Sequence, residues 1–278
     1  MRITVHGISL EVHTWGKPEH PAVFLIHGWL DTGASFQWLA EFLHNDFYLI
    51  APDMRGFGKS QASPSELGYF FFEYVADMMG LVDQLSPGTP VRLVGHSLGG
   101  AVASVLAGAF PERIHSLVNV EGFAFQRLKQ RSGPTRVRDW YRGLPPSPFP
   151  HYDRFEDFLE NLAKRHPRIP ADRLEQWGRM LVEKTPEGFR TASDPKHKLI
   201  DPYDFSQERF HRFWDQYTFP SLFVTAGDSE LAPALEAVTK TFPSNIETAE
   251  IPACAHMVHL EDPEALAKLL RGFYERIS

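Results

Sequence analysis

The sequence predicts an α/β protein built on a mostly parallel β-sheet with helices on both faces, interrupted once by a helical insertion. Three observations carry this. Short apolar runs ending in turn formers alternate with segments of helical spacing through the first third of the chain, the pattern is lost near Phe123, and it returns at Ser221. Strands buried on both faces read as continuous apolar runs, and strand–helix alternation leads to a parallel sheet.

The opening residues, 2–15, alternate in polarity and turn at Gly7, which predicts an antiparallel hairpin at the sheet edge. Val23–Ile26, Tyr48–Ala51 and Val91–Val94 are compact apolar runs that predict buried strands. Between them Phe36, Leu39, Ala40 and Leu43, then Phe71, Val75, Met78, Met79, Val82 and Leu85, recur at helical spacing. The segment Ala101–Ala109 is small and apolar, as suits a helix packed closely on a sheet, and Ile114–Val120 reads as a further strand. From 123 to 217 no strand pattern is visible: prolines cluster between Leu144 and Pro150, and Phe155–Arg165 and Arg173–Glu183 are charged helical stretches. Strands resume at Ser221–Thr225 and Ile246–Ile251. A closing amphipathic helix has Pro263 in its first turn and Leu266, Leu269, Leu270 and Phe273 on one face. The expected organisation is a core of residues 1–122 and 218–278 interrupted by a helical cap at 123–217.

Composition narrows the function classes. The 278 residues suffice for one large core, and a net charge of −7 with Lys and Arg spread thinly lacks the basic face that a nucleic-acid binder needs. One cysteine, Cys254, allows no intramolecular disulfide and fits a reducing compartment. No signal-peptide stretch opens the sequence and nowhere do 18 apolar residues run together, so the expectation is a cytoplasmic protein with no membrane span. The scattered histidines show no zinc or calcium ligand spacing, so no metal site is expected.

Gly95-His96-Ser97-Leu98-Gly99 lies between a strand and a helix. A turn this tight leaves no room for a Cβ two residues either side of the serine, and it forces Ser97 into a strained conformation at a helix N-terminus, where amide dipoles favour developing negative charge. Ser97 is the expected nucleophile. His27-Gly28-Trp29 closes the preceding buried strand, and Pro52–Ser60 is a glycine-rich turn leaving another.

With these residues the chain resembles the α/β-hydrolase superfamily, and its serine hydrolase-like branch in particular. The segments His27–Phe36, Gly95–Gly100, Gly108–Arg113, Val120–Gly122 and Asp194–Lys198 carry the likeness, which spans nearly the whole core. The resemblance implies an eight-stranded core, a cap over the site, and a hydrolase that needs no cofactor and no metal. It also implies an oxyanion hole formed by the amides of Trp29 and Leu98. It does not imply a substrate, because one fold hosts many chemistries.

The superfamily's chain order places the base last. His256 matches its His-x4-Glu-x-Pro ending through Glu261 and Pro263, with Ala255 where glycine is common; His259 is read as a packing or surface residue. The acid need only reach the base's Nδ1. The loop after Ser221–Thr225 offers Asp228 and Glu230, although the usual family position falls on Ser229, and Glu121 follows the strand ending at Val120. Asp228 is the first choice, Glu121 the second and Glu230 the third.

The insertion is rich in aromatics, most of them expected to pack its own core. Trp29, His96 and Phe123 are candidates for contact with a small-molecule substrate, most economically an apolar or aromatic ester of small to medium size. Thioester or carbon–carbon bond hydrolysis would use the same triad, and some receptors that resemble this fold retain it with slow turnover. Dehalogenases and epoxide hydrolases resemble the fold but carry aspartate where Ser97 stands.

Overall fold

The computed structural model describes residues 1–122, 133–203 and 207–277. Its centre is an eight-stranded sheet of β1 (Arg2–Val5), β2 (Ile8–Trp15), β3 (Ala22–Ile26), β4 (Tyr48–Pro52), β5 (Val91–His96), β6 (Ile114–Val120), β10 (Ser221–Ala226) and β11 (Ile246–Ile251). The order across the sheet is β1-β2-β4-β3-β5-β6-β10-β11. The first two strands pair antiparallel about Gly7, β2 pairs antiparallel with β4, and every later pairing is parallel.

Helices cover both faces. On one side lie α2 (Phe71–Leu85), α3 (Leu98–Ala109) and α8 (Ala232–Thr239), and on the other α1 (Gln37–Leu43) and α10 (Pro263–Arg276). The small residues of α3 serve close approach. A Cβ at Gly100 would lie 2.5 Å from Asn119 Oδ1, and one at Gly108 would lie 2.5 Å from the Phe213 carbonyl. The apolar stripe of α10 buries Leu266, Leu270 and Phe273 against β3, β6 and β10, as its spacing requires.

Between β6 and β10 the chain forms α4 (Gly133–Arg142), α5 (Phe155–Arg165), α6 (Ala171–Met180) and α7 (Gln207–Trp214). It also forms a three-stranded antiparallel sheet of β7 (His151–Tyr152), β9 (Gly188–Thr191) and β8 (Val182–Thr185). The sequence showed no strand pattern here, and the reason is physical. The strands are two to four residues long, carry Glu183, Lys184 and Arg190, and turn at Gly188 with φ of 133°, so too few residues are buried to leave an alternation.

Two clusters help to fasten the insertion to the core. Phe155, Phe158, Leu162, Leu174 and Trp177 form a cluster that also takes in Trp38 of α1 and Met257 and Leu260 near the chain's end. In the other the His197 ring is sandwiched between Phe57 at 3.7 Å and Tyr69 at 3.9 Å, and the Tyr74 hydroxyl meets its Nδ1 at 3.0 Å. Among the described residues no helix is long and apolar enough to cross a membrane.

Candidate active site

The parallel strands all end at one edge of the sheet, where open α/β sheets place their ligands. β5 runs directly into α3 through Ser97, whose φ of 53° and ψ of −118° lie in a region that L residues avoid. The surroundings hold it there. A Cβ at Gly95 would sit 2.3 Å from the Gly99 carbonyl oxygen, and one at Gly99 would sit 2.1 Å from that of Ile26, so strand, turn and helix close on each other with backbone alone between them. The Ser97 amide donates to the Val120 carbonyl at 2.9 Å, which ties the corner to β6.

His256 stands in the loop after β11, with Nε2 at 3.0 Å from Ser97 Oγ. Its loop is held from three sides. The His96 ring meets the His256 carbonyl through Nε2 at 2.8 Å, the Ala255 amide donates to Glu261 at 2.7 Å, and the Asp228 amide donates to the Cys254 carbonyl at 2.9 Å. The spacing from His256 to Glu261 therefore has a mechanical use, because Glu261 bends back to bind the loop.

The carboxylate that meets His256 Nδ1 is Glu121, at 3.2 Å. It sits at the end of β6 with φ of 58°, and its side chain is fully buried. The Ala226 amide donates to one oxygen at 2.8 Å, and the Ser229 hydroxyl donates to the other. The first choice from sequence, Asp228, is corrected by this geometry. Its side chain is 48% exposed and pairs with Arg168 of the insertion at 2.8 Å. Glu230 is exposed as well. The position where the family usually carries the acid holds Ser229, whose hydroxyl completes the shell of Glu121 instead.

The loop after β3 runs against the nucleophile, for a Cβ at Gly28 would lie 3.1 Å from that of Ser97. His27 sets this loop. Its Nδ1 donates to the Gly28 carbonyl at 2.7 Å, and its Nε2 accepts the Met54 amide at 2.8 Å. Burial lowers its pKa and keeps the ring neutral, as this pattern of one donor and one acceptor requires. Trp29 follows with its side chain 51% exposed, and Leu98 is the first residue of α3, where a backbone N–H has no acceptor within its helix.

His96 is occupied within the protein. It is buried, its Nε2 is engaged by the His256 carbonyl, and burial together with His259 and His256 holds its pKa well below the ordinary imidazole range. Its place immediately before the nucleophile suggests contact with ligand, but its ring packs between those of His256 at 4.7 Å and His259 at 4.6 Å. Phe123 lies outside the described residues. His259 is neither a surface residue nor simple packing. It is completely buried, with Nε2 at 3.2 Å from Asp31.

Sequence reasoning passed over Asp31, which lies within the His27–Phe36 segment, and over Arg168 and Trp177, which meet these loops from a distance along the chain that leaves no local signal. Asp31, His96 and His259 are all buried and bring potential metal ligands within 4.8 Å of one another. Donors around a tetrahedral zinc stand roughly 3.3 Å apart at the usual bond lengths, and Asp31 is already surrounded by hydrogen-bond donors. We read Asp31 and His259 as a hydrogen-bonded pair, with the His96 ring packed against it.

The sequence profile of the α/β-hydrolase fold family matches residues 21–263. A serine hydrolase-like protein of Danio rerio is 32% identical over 143 residues, which is 51% of this chain and 41% of that protein. An epoxide hydrolase 2 of Siraitia grosvenorii is 38% identical over 199 residues, 71% of this chain and 57% of that protein. The chain thus spans about half the length of these curated relatives. The crystal structure of a hypothetical protein from Pseudomonas aeruginosa PAO1 is similar throughout, with a TM-score of 0.86 and 28% identity over 99% of both chains.

Proposed function

The chain belongs to the α/β-hydrolase fold family, and from that premise we propose that it is a serine hydrolase cleaving carboxylic esters through an acyl-enzyme. One observation carries the reading. The His256 ring spans Ser97 Oγ at 3.0 Å and Glu121 at 3.2 Å, so a nucleophile, a base and an orienting carboxylate stand in line.

The chemistry follows from the two contacts. Glu121 accepts a hydrogen bond from Nδ1–H, which leaves Nε2 with a lone pair facing Ser97. As Ser97 Oγ attacks the ester carbonyl, its proton passes to Nε2, and Glu121 stabilises the imidazolium. The carbonyl oxygen, now negative, is held by the amides of Trp29 and Leu98 and by the positive end of α3. His256 returns the proton to the leaving alkoxide, then takes one from the water that attacks the acyl-enzyme and passes it to Ser97 Oγ as the acid departs.

The insertion, residues 123–217, serves as the cap. It meets the loops of the site through Arg168, which donates to Asp228 and to the Ala253 carbonyl, and within it the His166 ring lies edge-on to Trp177 at 5.1 Å. Burial, with Arg165 and His256 nearby, lowers His166 to about 4, so it presents a neutral face toward the site. The exposed indole of Trp29 and the neutral His166 ring suit an uncharged, apolar or aromatic acyl group of small to medium size. Epoxide opening through a carboxylate nucleophile has no counterpart at Ser97.

A panel of p-nitrophenyl esters of graded chain length tests the reading, together with a fluorophosphonate probe. The expected result is turnover of the shorter or aromatic esters and probe attachment at Ser97, both lost in Ser97→Ala. Probe attachment at an unchanged rate in that variant would overturn it.

A further inference from the structure

Behind the proposed triad lies a second carboxylate–histidine pair that the hydrolytic steps do not use. Asp31 ends the loop that begins at Gly28, and its carboxylate draws donors from three segments far apart in sequence. The Ser35 hydroxyl donates to Oδ2 at 2.9 Å, His259 meets the same oxygen through Nε2 at 3.2 Å, and the Trp177 indole N–H of α6 donates to Oδ1 at 2.8 Å. Asp31 and His259 are both buried. We propose that Asp31 and His259 are positioning residues: a buried joint that fixes the Gly28–Asp31 loop against Ser97 and His256 and ties that loop to the insertion through Trp177.

Three observations support the joint. First, the loop needs holding. Leu30 has φ of 59°, a left-handed conformation that costs a non-glycine residue on the order of 1 kcal/mol unless its surroundings impose it. The backbone bond across the turn, from the Asp31 amide to the Gly28 carbonyl, is long at 3.3 Å. Second, the joint reaches the base. His259 lies on the short helix α9 (Val258–Glu261), three residues past His256, its ring is 4.6 Å from that of His96, and His96 in turn holds the His256 carbonyl. Third, buried polar or ionic pairs can often be replaced by apolar side chains at no loss of stability, which points to fixed geometry as the use of this one. Burial works to raise the Asp31 pKa, but the bonds and charge of His259 and the Trp177 bond outweigh it and keep the carboxyl below its usual range. It stays an anion that draws all three donors inward.

The inference rests on the proposed oxyanion role of the loop, and the test separates the two. Asp31→Asn and Trp177→Phe are compared with wild type in ester hydrolysis, in the rate of fluorophosphonate attachment, and in melting temperature. Asp31→Asn is expected to lower kcat by about 10- to 100-fold, the range that a displacement near 1 Å can cost, with KM changed by less than about threefold. Probe attachment should slow in parallel, since it too develops charge on an oxygen held by the hole. Trp177→Phe keeps the ring and loses only the N–H, and is expected to lower the same two rates by about 3- to 10-fold. Wild-type rates in both variants would overturn the proposal whatever happens to melting temperature, because a purely structural pair moves only the latter. If Asp31→Asn does not fold, Trp177→Phe decides alone. A wild-type protein that takes no probe and hydrolyses no ester removes the hydrolase reading and this proposal with it. A reactive wild type with unaffected variants removes only the joint.

Discussion

The loops after β6 and β10 leave neighbouring strands at the same edge of the sheet, and each presents a carboxylate. Glu121, on the first, is fully buried and surrounded by an amide, a hydroxyl and the His256 ring. Asp228, on the second, is 48% exposed and shares its charge with an Arg168 that is itself 45% exposed. Both lie close to the His256 loop. What separates them is water: a carboxylate shielded from solvent and backed by fixed donors can orient an imidazole, whereas an exposed ion pair is screened and is worth about 0–1 kcal/mol. Proximity along the chain is a poor guide to which of two carboxylates does the orienting.

The largest effects set the scale for that comparison. Ser97→Ala and His256→Ala should each lower kcat by on the order of 10⁵ or more, measured by ester turnover at saturating substrate, because the two act as a unit. Retention of a tenth of wild-type activity by either would break the comparison at its root. Glu121→Gln keeps the shape but lets the imidazole take the wrong tautomer, and should cost about 10⁴ in kcat. A loss of that size in an Asp228 variant instead would reverse the contrast between the two loops.

A third experiment asks whether burial governs proton affinity elsewhere. Burial lowers the sandwiched His197 to about 3. In the unfolded chain a histidine takes up its proton near pH 6.5, so between about pH 6.5 and 3 the unfolded state binds more protons and stability falls as pH falls. Each pH unit in that window costs about 1.4 kcal/mol for one such histidine. His197→Phe retains the stack with Phe57 and Tyr69, and denaturant melts from pH 7 to 4 should show a shallower loss for it than for wild type. Equal slopes would show that His197 is not among the groups that set acid stability.

Two smaller effects sharpen the contrast. In a Glu121→Gln background, Ser229→Asp places a carboxylate on the second loop within the same buried shell, and should recover about 10- to 100-fold of the lost kcat. No recovery would mean that the strand of origin matters, not only the place reached. Asp228→Asn should change kcat by less than about threefold and stability by no more than about 1 kcal/mol, read from turnover and a urea melt.

The sequence by itself determined the sheet, the flanking helices, the strained corner at Ser97 and the place of His256 after the last strand. These depend on neighbours a few residues away: apolar periodicity, glycines at closest approach, and a histidine set by Glu261 in its own loop. It did not determine that Ser229 would occupy the usual acid position as a hydroxyl, that Glu121 would face His256, or that His96 and His259 would both be buried. Nor did it disclose the three short strands of the insertion, whose few half-exposed residues leave no alternation to detect. Those outcomes were decided only when segments as distant as Asp31, Trp177 and His259, or Glu121, Ser229 and His256, were brought together. The function of a titratable side chain depends on what excludes water from it, and the groups that do so here lie up to 228 residues away along the chain.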